Sequence, residues 1–458
     1  MPEFRPEDLA DWTGGEWSAL PAAMPSGVSH DTRTIRTGDL YVAIAGERYD
    51  GSCFVRQAFD FGASAAMVES QPEGTEYRPL LHVDDVRQAL KLMARGHRRR
   101  LAGRICGITG SVGKTTVKEM LAGILSLHGD TSATLGNWNN DIGLPLSLLA
   151  MEPDDSFGVF EVAMNHPGEI AALSDILRPD CAVMCTVGLA HSQYFADVEG
   201  IAREKSSLLK ALPDSGFALL SSDEEWFDLF RASTAARIVT VSLSGPADYA
   251  GRLDESGTLG ISTGAEDFCV RLAQPGEHIA RDALLAAAAA IELGAAVETV
   301  REGLESFRAL SKRWERFDWN GVEIVNDAYN ANLLSMKAAL KTLARVECSG
   351  NRWAVLGGMN ELGDMSAEAH REVGAAVAGS AERLLGIAAG GEMIVAAARQ
   401  AGMSRQRTSV CPDTDSAAEI LMHGLRAGDC VLLKASRSLK LERIIDRLIS
   451  IENKEKKD

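Results

Sequence analysis

Long apolar runs are scarce in this chain of 458 residues. The longest, LLAAAAAIELGAAV near residues 284–297, is alanine-rich and interrupted by Glu292 and Gly294, so it reads as a soluble helix and not as a membrane span. Positive charge is also in deficit. Against 64 Asp and Glu stand 47 Lys and Arg, a formal net charge of −17, which argues against a general binder of nucleic acid or membrane surfaces. An anionic ligand must then be held by a local nest of amides, metal ions and a few basic side chains. The eight cysteines form no CxxC pair; the nearest two are Cys181 and Cys185, and buried reduced thiols are expected. The opening MPEFRPEDLADW has no basic start followed by an apolar run, so no signal peptide is read and a cytoplasmic location is expected.

What is present has three textures, and the length suits about three domains at ~150 residues each. Residues 1–84 hold short apolar runs such as DLYVAIAG and AAMVES, the pattern of a small α/β domain. Residues 85–311 open with a helical run whose HRRR cluster reads as a solvated helix end. They continue with buried-type strands (RICGIT, FGVFEVAM, CAVMCTVG, FALLSS, RIVTVSL) alternating with helices, which implies a mostly parallel sheet covered on both faces. From 312 to 458 the pattern restarts with GVEIVNDAY, RWAVLGG, ERLLGIAAG and GDCVLLKAS, a second doubly wound unit. The fold class is therefore α/β in three domains: a small N-terminal one, a central phosphate-loop sheet and a Rossmann-like C-terminal sheet.

The strongest motif is GITGSVGKTT at 107–116, a turn between a strand and a helix. Successive amides at a helix N-terminus point at one spot, so Thr109, Gly110, Ser111, Val112, Gly113, Lys114, Thr115 and Thr116 are candidates to hold phosphates. Lys114 reaches the β- and γ-phosphates in such loops, and the Thr115 hydroxyl joins a Mg²⁺ shell. The usual first glycine is replaced by Ile108, which implies a shorter loop. Glu161 stands in an otherwise apolar strand and must be paired or metal-bound. His191 closes VGLAHSQYF after a strand, and Lys205 follows in AREKSSLL. An Asn-rich turn, TLGNWNNDIG, carries Asn137, Asn139 and Asn140; its residues suit either substrate contacts or helix capping. NDAYNAN (326–332) and KASR (434–437) carry the same ambiguity.

With these residues in view, the chain resembles the Mur ligase family of peptidoglycan synthesis. The resemblance covers nearly the whole chain: SHDTRTIRTGDLYVAIAGERYDG, TGSVGKTTVKEM, GNWNNDIGLPLSLL, VNDAYNANLLSM and LGGMNELGDMSAEAH match in order. It implies an ATP-dependent amide ligase that joins D-Ala-D-Ala to UDP-MurNAc-tripeptide through an acyl phosphate, with ATP and Mg²⁺, as a monomer, without nucleic acid or a membrane span. Carried over by residue, Lys114, His191 and Lys205 take catalytic positions. Thr115, Glu161, His191 and a carbamylated Lys205 take metal positions. Arg313, Asp327, Tyr329 and Asn330 become nucleotide contacts. Ser29, Asp31 and Arg33 fall on the uridine side, and Lys434 and Arg437 join Asn137, Asn139 and Asn140 as substrate contacts.

The chain departs from the family pattern at Ile279 and Asp282, where a His-Asn-x-x-Asn run is usual, and at Gly358, Ala435 and Leu333. These touch fine nucleotide contacts and not the reaction class. The diaminopimelate-adding members of the family's third-residue ligases usually carry Asp-Asn-Pro in the last domain, absent here, and folylpolyglutamate synthetases lack a domain like residues 29–69. A guanine switch would need an Asn-Lys-x-Asp element, also absent. A non-catalytic relative is the remaining alternative.

Overall fold

Three sheets follow one another along the chain in the computed structural model, which describes residues 2–46, 49–189 and 193–455. The first has five short strands in the order Glu16–Trp17, Leu80–His82, Ala65–Val68, Leu40–Val42 and Val28–Ser29, parallel except at Glu16–Trp17. The helix Val86–Arg98 ties it to the next unit. Val86, Leu90, Met93 and Ala94 are buried on one face and share a core with residues of the helices Gly143–Leu149 and Glu169–Leu177.

The HRRR cluster at this helix end is only half the solvated end that its charge suggests: Arg99 and Arg100 are exposed, His97 and Arg98 are not. His97 is buried, with Nε2 2.8 Å from the Met151 carbonyl. Arg98 donates to the carbonyls of Leu177 and Arg178 and to Asp180. The helix Glu169–Leu177 ends there with carbonyls that lack intrahelical partners, and a guanidinium satisfies both these groups and the negative end of the helix dipole. Arg100 pairs with Asp8 and lies over Trp12.

The central sheet has nine strands. The strand Arg104–Thr109 lies between Phe157–Glu161 and Cys181–Met184, all parallel. The chain passes from Phe157–Glu161 to Cys181–Met184 across Arg104–Thr109, so the strand order switches sides there and leaves a crevice at the strands' carboxyl ends. Three strands carry no clear signal in the sequence: Tyr249–Leu253, Thr258–Ser262 and Asp267–Arg271 add an antiparallel edge. Their alternate residues are buried on one face only, so each is too weakly apolar to stand out from a loop. The alanine-rich run is the helix Glu277–Glu292, whose small side chains let it pack closely on the helix Lys114–Ser126 in the same core.

The third sheet orders its six strands Glu315–Trp319, Val322–Asn326, Cys430–Lys434, Arg352–Gly357, Arg383–Ile387 and Thr408–Cys411. Only the first pair is antiparallel. Among the described residues, no helix is long and apolar enough to cross a membrane.

Candidate active site

Residues 110–113 link the strand Arg104–Thr109 to the helix Lys114–Ser126. Ile108 cannot be part of this loop, because it is fully buried in the strand and registers against Glu161 on one side and Val183 on the other. The glycines stand where the backbone needs them. Gly113 adopts φ 90°, and a side chain on it would begin 2.4 Å from Asp282 Oδ1. The Val117 amide donates to Gly113 O as the first bond of the helix, so the amides of Lys114, Thr115 and Thr116 precede it without intrahelical acceptors. Those three are open donors at a helix N-terminus, a geometry suited to a phosphate. Ser111 and Val112 differ from the expectation, since both amides donate to Thr186 O, at 2.8 and 3.1 Å, and brace the loop instead. Thr109 is fully buried below it. Lys114 Nζ donates to Gly110 O at 2.9 Å.

One hydroxyl joins the sheets. Thr115 Oγ1 donates to Glu161 Oε2 at 2.9 Å and accepts from Arg313 Nη2 at 3.1 Å. Glu161 is 2% exposed, and its other oxygen accepts from Asn139 Nδ2 at 2.9 Å. The Asn-rich turn thus divides its labour: Asn139 orients the buried carboxylate, while Asn140 Oδ1 accepts from the Gly143 amide and caps the next helix. Asn137 lines the same cleft. Nothing in the sequence marks Lys118, which is buried with its ammonium on Thr134 O, 2.8 Å away; Thr134 Oγ1 in turn accepts from the Glu161 amide.

Lys205 ends the helix Val198–Lys205 and is fully enclosed. Burial, with the positive charge of Lys114 adding to it, pushes its ammonium well below the usual lysine range. The expectation for His191 lies outside the described residues. A hydroxyl and a buried carboxylate beside a phosphate nest suit Mg²⁺, which takes few protein oxygens and completes its shell with water and substrate phosphate. A neutral Lys205 amine can add CO₂ to become a further anionic oxygen ligand.

The cleft of about 410 Å³ continues from the loop toward the C-terminal sheet. Arg313 lies 4.1 Å over the Tyr329 ring. Asp327 also lines the cleft, but its carboxylate accepts from Lys434 Nζ at 2.7 Å, and that ammonium also reaches Asn330 O. Lys434 itself lines the cleft, 3% exposed and paired with Asp327. Arg437 donates to Glu442 Oε1 at 2.6 Å and is not part of the cleft wall. Phe307, Leu310 and Trp314 supply an apolar wall suited to a base. Their stretch, SFRALSKRW, spaces them three and four apart as on a helix face, yet residues 307–314 are not helical.

Ser29, Asp31 and Arg33 stand apart from this cleft, at the edge strand of the first sheet. The Arg33 side chain donates to Asp31 and holds that carboxyl down to about 2, while Ser29 Oγ lies 3.2 Å from Thr34 Oγ1.

Asp282 is the one departure from pattern that touches the loop. Burial raises its carboxyl to about 7, offset in part by Arg281 and Arg313. The folded state thus binds this proton more tightly than the unfolded chain, where it leaves near pH ~4. The associated stability is full below that pH and is lost as pH rises through about 7. The stability of Asp282→Asn relative to the parent should therefore rise between pH ~4 and ~7 by a few kcal/mol at most, on the order of 1.4 kcal/mol for each tenfold difference in proton affinity between the folded and unfolded chain. Urea unfolding across that range checks this; a pH-independent difference would contradict it.

Three family models match the chain: Mur ligase family, catalytic domain, at residues 25–98; Mur ligase middle domain at 108–290; and Mur ligase, glutamate ligase domain, at 312–437. UDP-N-acetylmuramoyl-tripeptide–D-alanyl-D-alanine ligase of Bacillus subtilis is 34% identical, over 92% of this chain and 93% of its own. The crystal structure of MurF from Acinetobacter baumannii superposes with a TM-score of 0.88 at 28% identity, over 98% of this chain and 99% of that one. MurF ligase from Thermotoga maritima, in complex with ADP, gives 0.80 at 27% identity, over 93% and 97%.

Proposed function

The chain belongs to the Mur ligase family, and from that premise we propose that it adds D-Ala-D-Ala to UDP-MurNAc-tripeptide at the expense of ATP, with the cleft around Thr115 as its active site. The observation that carries the assignment of the site is the double contact of Thr115. A buried carboxylate from the central sheet and a guanidinium from the C-terminal unit meet on one hydroxyl at a phosphate nest.

A carboxylate is a poor electrophile at neutral pH, so the terminal carboxylate of the tripeptide first attacks the γ-phosphorus of ATP. An O–P bond forms, the bond to the β-phosphate oxygen breaks, and ADP departs. The amine of D-Ala-D-Ala then attacks the acyl carbon. A C–N bond forms, the C–O bond to phosphate breaks through a tetrahedral intermediate, and the amine proton passes to solvent. Lys114 and the amides of Lys114–Thr116 hold the phosphates and offset charge on the transferred group. Arg313 enters from the C-terminal unit, so closure of that unit completes the charge balance. Tyr329 supports its guanidinium, and Lys434 holds Asp327 and the Asn330 carbonyl in place. Thr115, Glu161 and a carbamylated Lys205 would hold Mg²⁺, which would supply further neutralisation of the phosphate charge. Ser29, Asp31 and Arg33 take the uridine end of the substrate. The reaction belongs in the cytoplasm, where the nucleotide-linked precursor and ATP are found. The state proposed for the protein is a monomer.

The test is phosphate release with ATP and Mg²⁺, using tripeptides that carry lysine or diaminopimelate at position three. Release is expected only when both UDP-MurNAc-tripeptide and D-Ala-D-Ala are present. Comparable release with neither would sink the ligase reading.

A further inference from the structure

Trp138 is an unusual residue for its place. It sits in a polar turn between Asn137 and Asn139, both of which line the cleft, yet it is 37% exposed and packs into none of the apolar cores. Its backbone is fixed. The Trp138 amide donates to Leu135 O, and Gly143 at the start of the next helix is pressed so close that a side chain there would begin 2.5 Å from the Trp138 Cα. Its ring meets that of His30 edge to face, with centroids 5.7 Å apart and planes at 74°. His30 lies between Ser29 and Asp31 on the first sheet's edge, so this pair is a bridge between the two ends of the site. Contacts run without a gap from His30 through Trp138 and Asn139 to Glu161 and Thr115.

We propose that Trp138, steadied by His30, is a substrate-binding residue that packs against the muramoyl sugar of the UDP-linked substrate. This rests on the ligase reading above, which puts the uridine end at Ser29–Arg33 and the reacting carboxylate at the phosphate nest. Between those ends the substrate runs through a diphosphate, a pyranose and the first residues of the peptide, and of these the pyranose offers a broad C–H face. One face of a pyranose is a sheet of C–H groups with slight positive charge, complementary to the negative face of an indole ring. A large apolar side chain left partly exposed beside a polar cleft costs solvation when bare and recovers it when such a face covers it.

Direct binding decides the matter. Trp138→Ala should bind UDP-MurNAc-tripeptide about tenfold more weakly, and Trp138→Phe only two- to threefold, on the order expected for one aromatic contact. UDP alone and ATP should bind both variants as they bind the parent. Equal weakening of UDP alone would put the ring under uracil and overturn the sugar assignment. Unchanged affinity of Trp138→Ala for UDP-MurNAc-tripeptide, in protein with the parent's melting temperature, would overturn the proposal outright. These arms do not need turnover, so a parent protein without dipeptide-dependent phosphate release would fail the ligase reading and still report on Trp138.

Discussion

Lys114→Ala lowers turnover by about three orders of magnitude and leaves the protein folded. The side chain is half-buried at the start of the helix Lys114–Ser126 and makes one described hydrogen bond, to Gly110 O. Its loss removes no core packing. In the reaction it is the one lysine on the loop able to follow negative charge as the γ-phosphate moves, and removing one such group from a water-poor site costs roughly 10²–10³ in rate or more. Lys114→Arg should recover part of the loss, because charge is kept but the planar guanidinium fits a point-charge site poorly. The measurements are kcat for dipeptide-dependent phosphate release and the melting temperature. Wild-type kcat in Lys114→Ala would take the loop out of the mechanism.

Lys205→Met lowers turnover at least a hundredfold and does not lower the melting temperature. These two results point in opposite directions for a physical reason. The Lys205 amine is enclosed, has no described hydrogen bond or ion pair, and is driven toward its neutral form by burial and by Lys114. Replacing an unpaired buried ionisable group by an apolar one of similar shape is neutral or stabilising. Its retention is therefore explained by chemistry and not by stability. Lys205→Arg should be equally inactive, since a guanidinium stays charged and cannot accept CO₂. Activity depleted in CO₂-free buffer and restored by bicarbonate would accompany the loss in the variants. A fully active Lys205→Met would show that the lysine is a filler of space.

Much of the site is legible in the order of residues. Lys114, Thr115 and Glu161 can be read because each breaks a local pattern: a lysine after glycines at a strand-to-helix turn, or a carboxylate inside a buried strand. Lys434 and Arg437 show a limit of this reading, because a sequence shows that a cation is present and not which group pairs with it. Lys434 is held by Asp327 and Arg437 by Glu442, partners 107 and 5 positions away. Arg98 in the basic helix end departs from expectation for the same reason, as the carbonyls it caps lie about 80 positions further on. The apolar wall of Phe307, Leu310 and Trp314 has helical spacing in a stretch that is not helical, and the bridge of Trp138 to His30 has no periodicity at all.

By itself the sequence determined what is local: the alternation that makes stacked α/β units, the glycines at 110 and 113, the first amides of the helix that follows, and the carboxylate that a buried strand could not carry without a partner. These follow from backbone geometry and desolvation, which act over a few residues. Tertiary structure alone decided which cations remain free, that Asp282 lies against Gly113 and holds its proton to about 7, and that Arg313 meets Thr115 across 198 positions. Those outcomes depend on long-range burial and on charges brought together by folding, and no short stretch of chain encodes them.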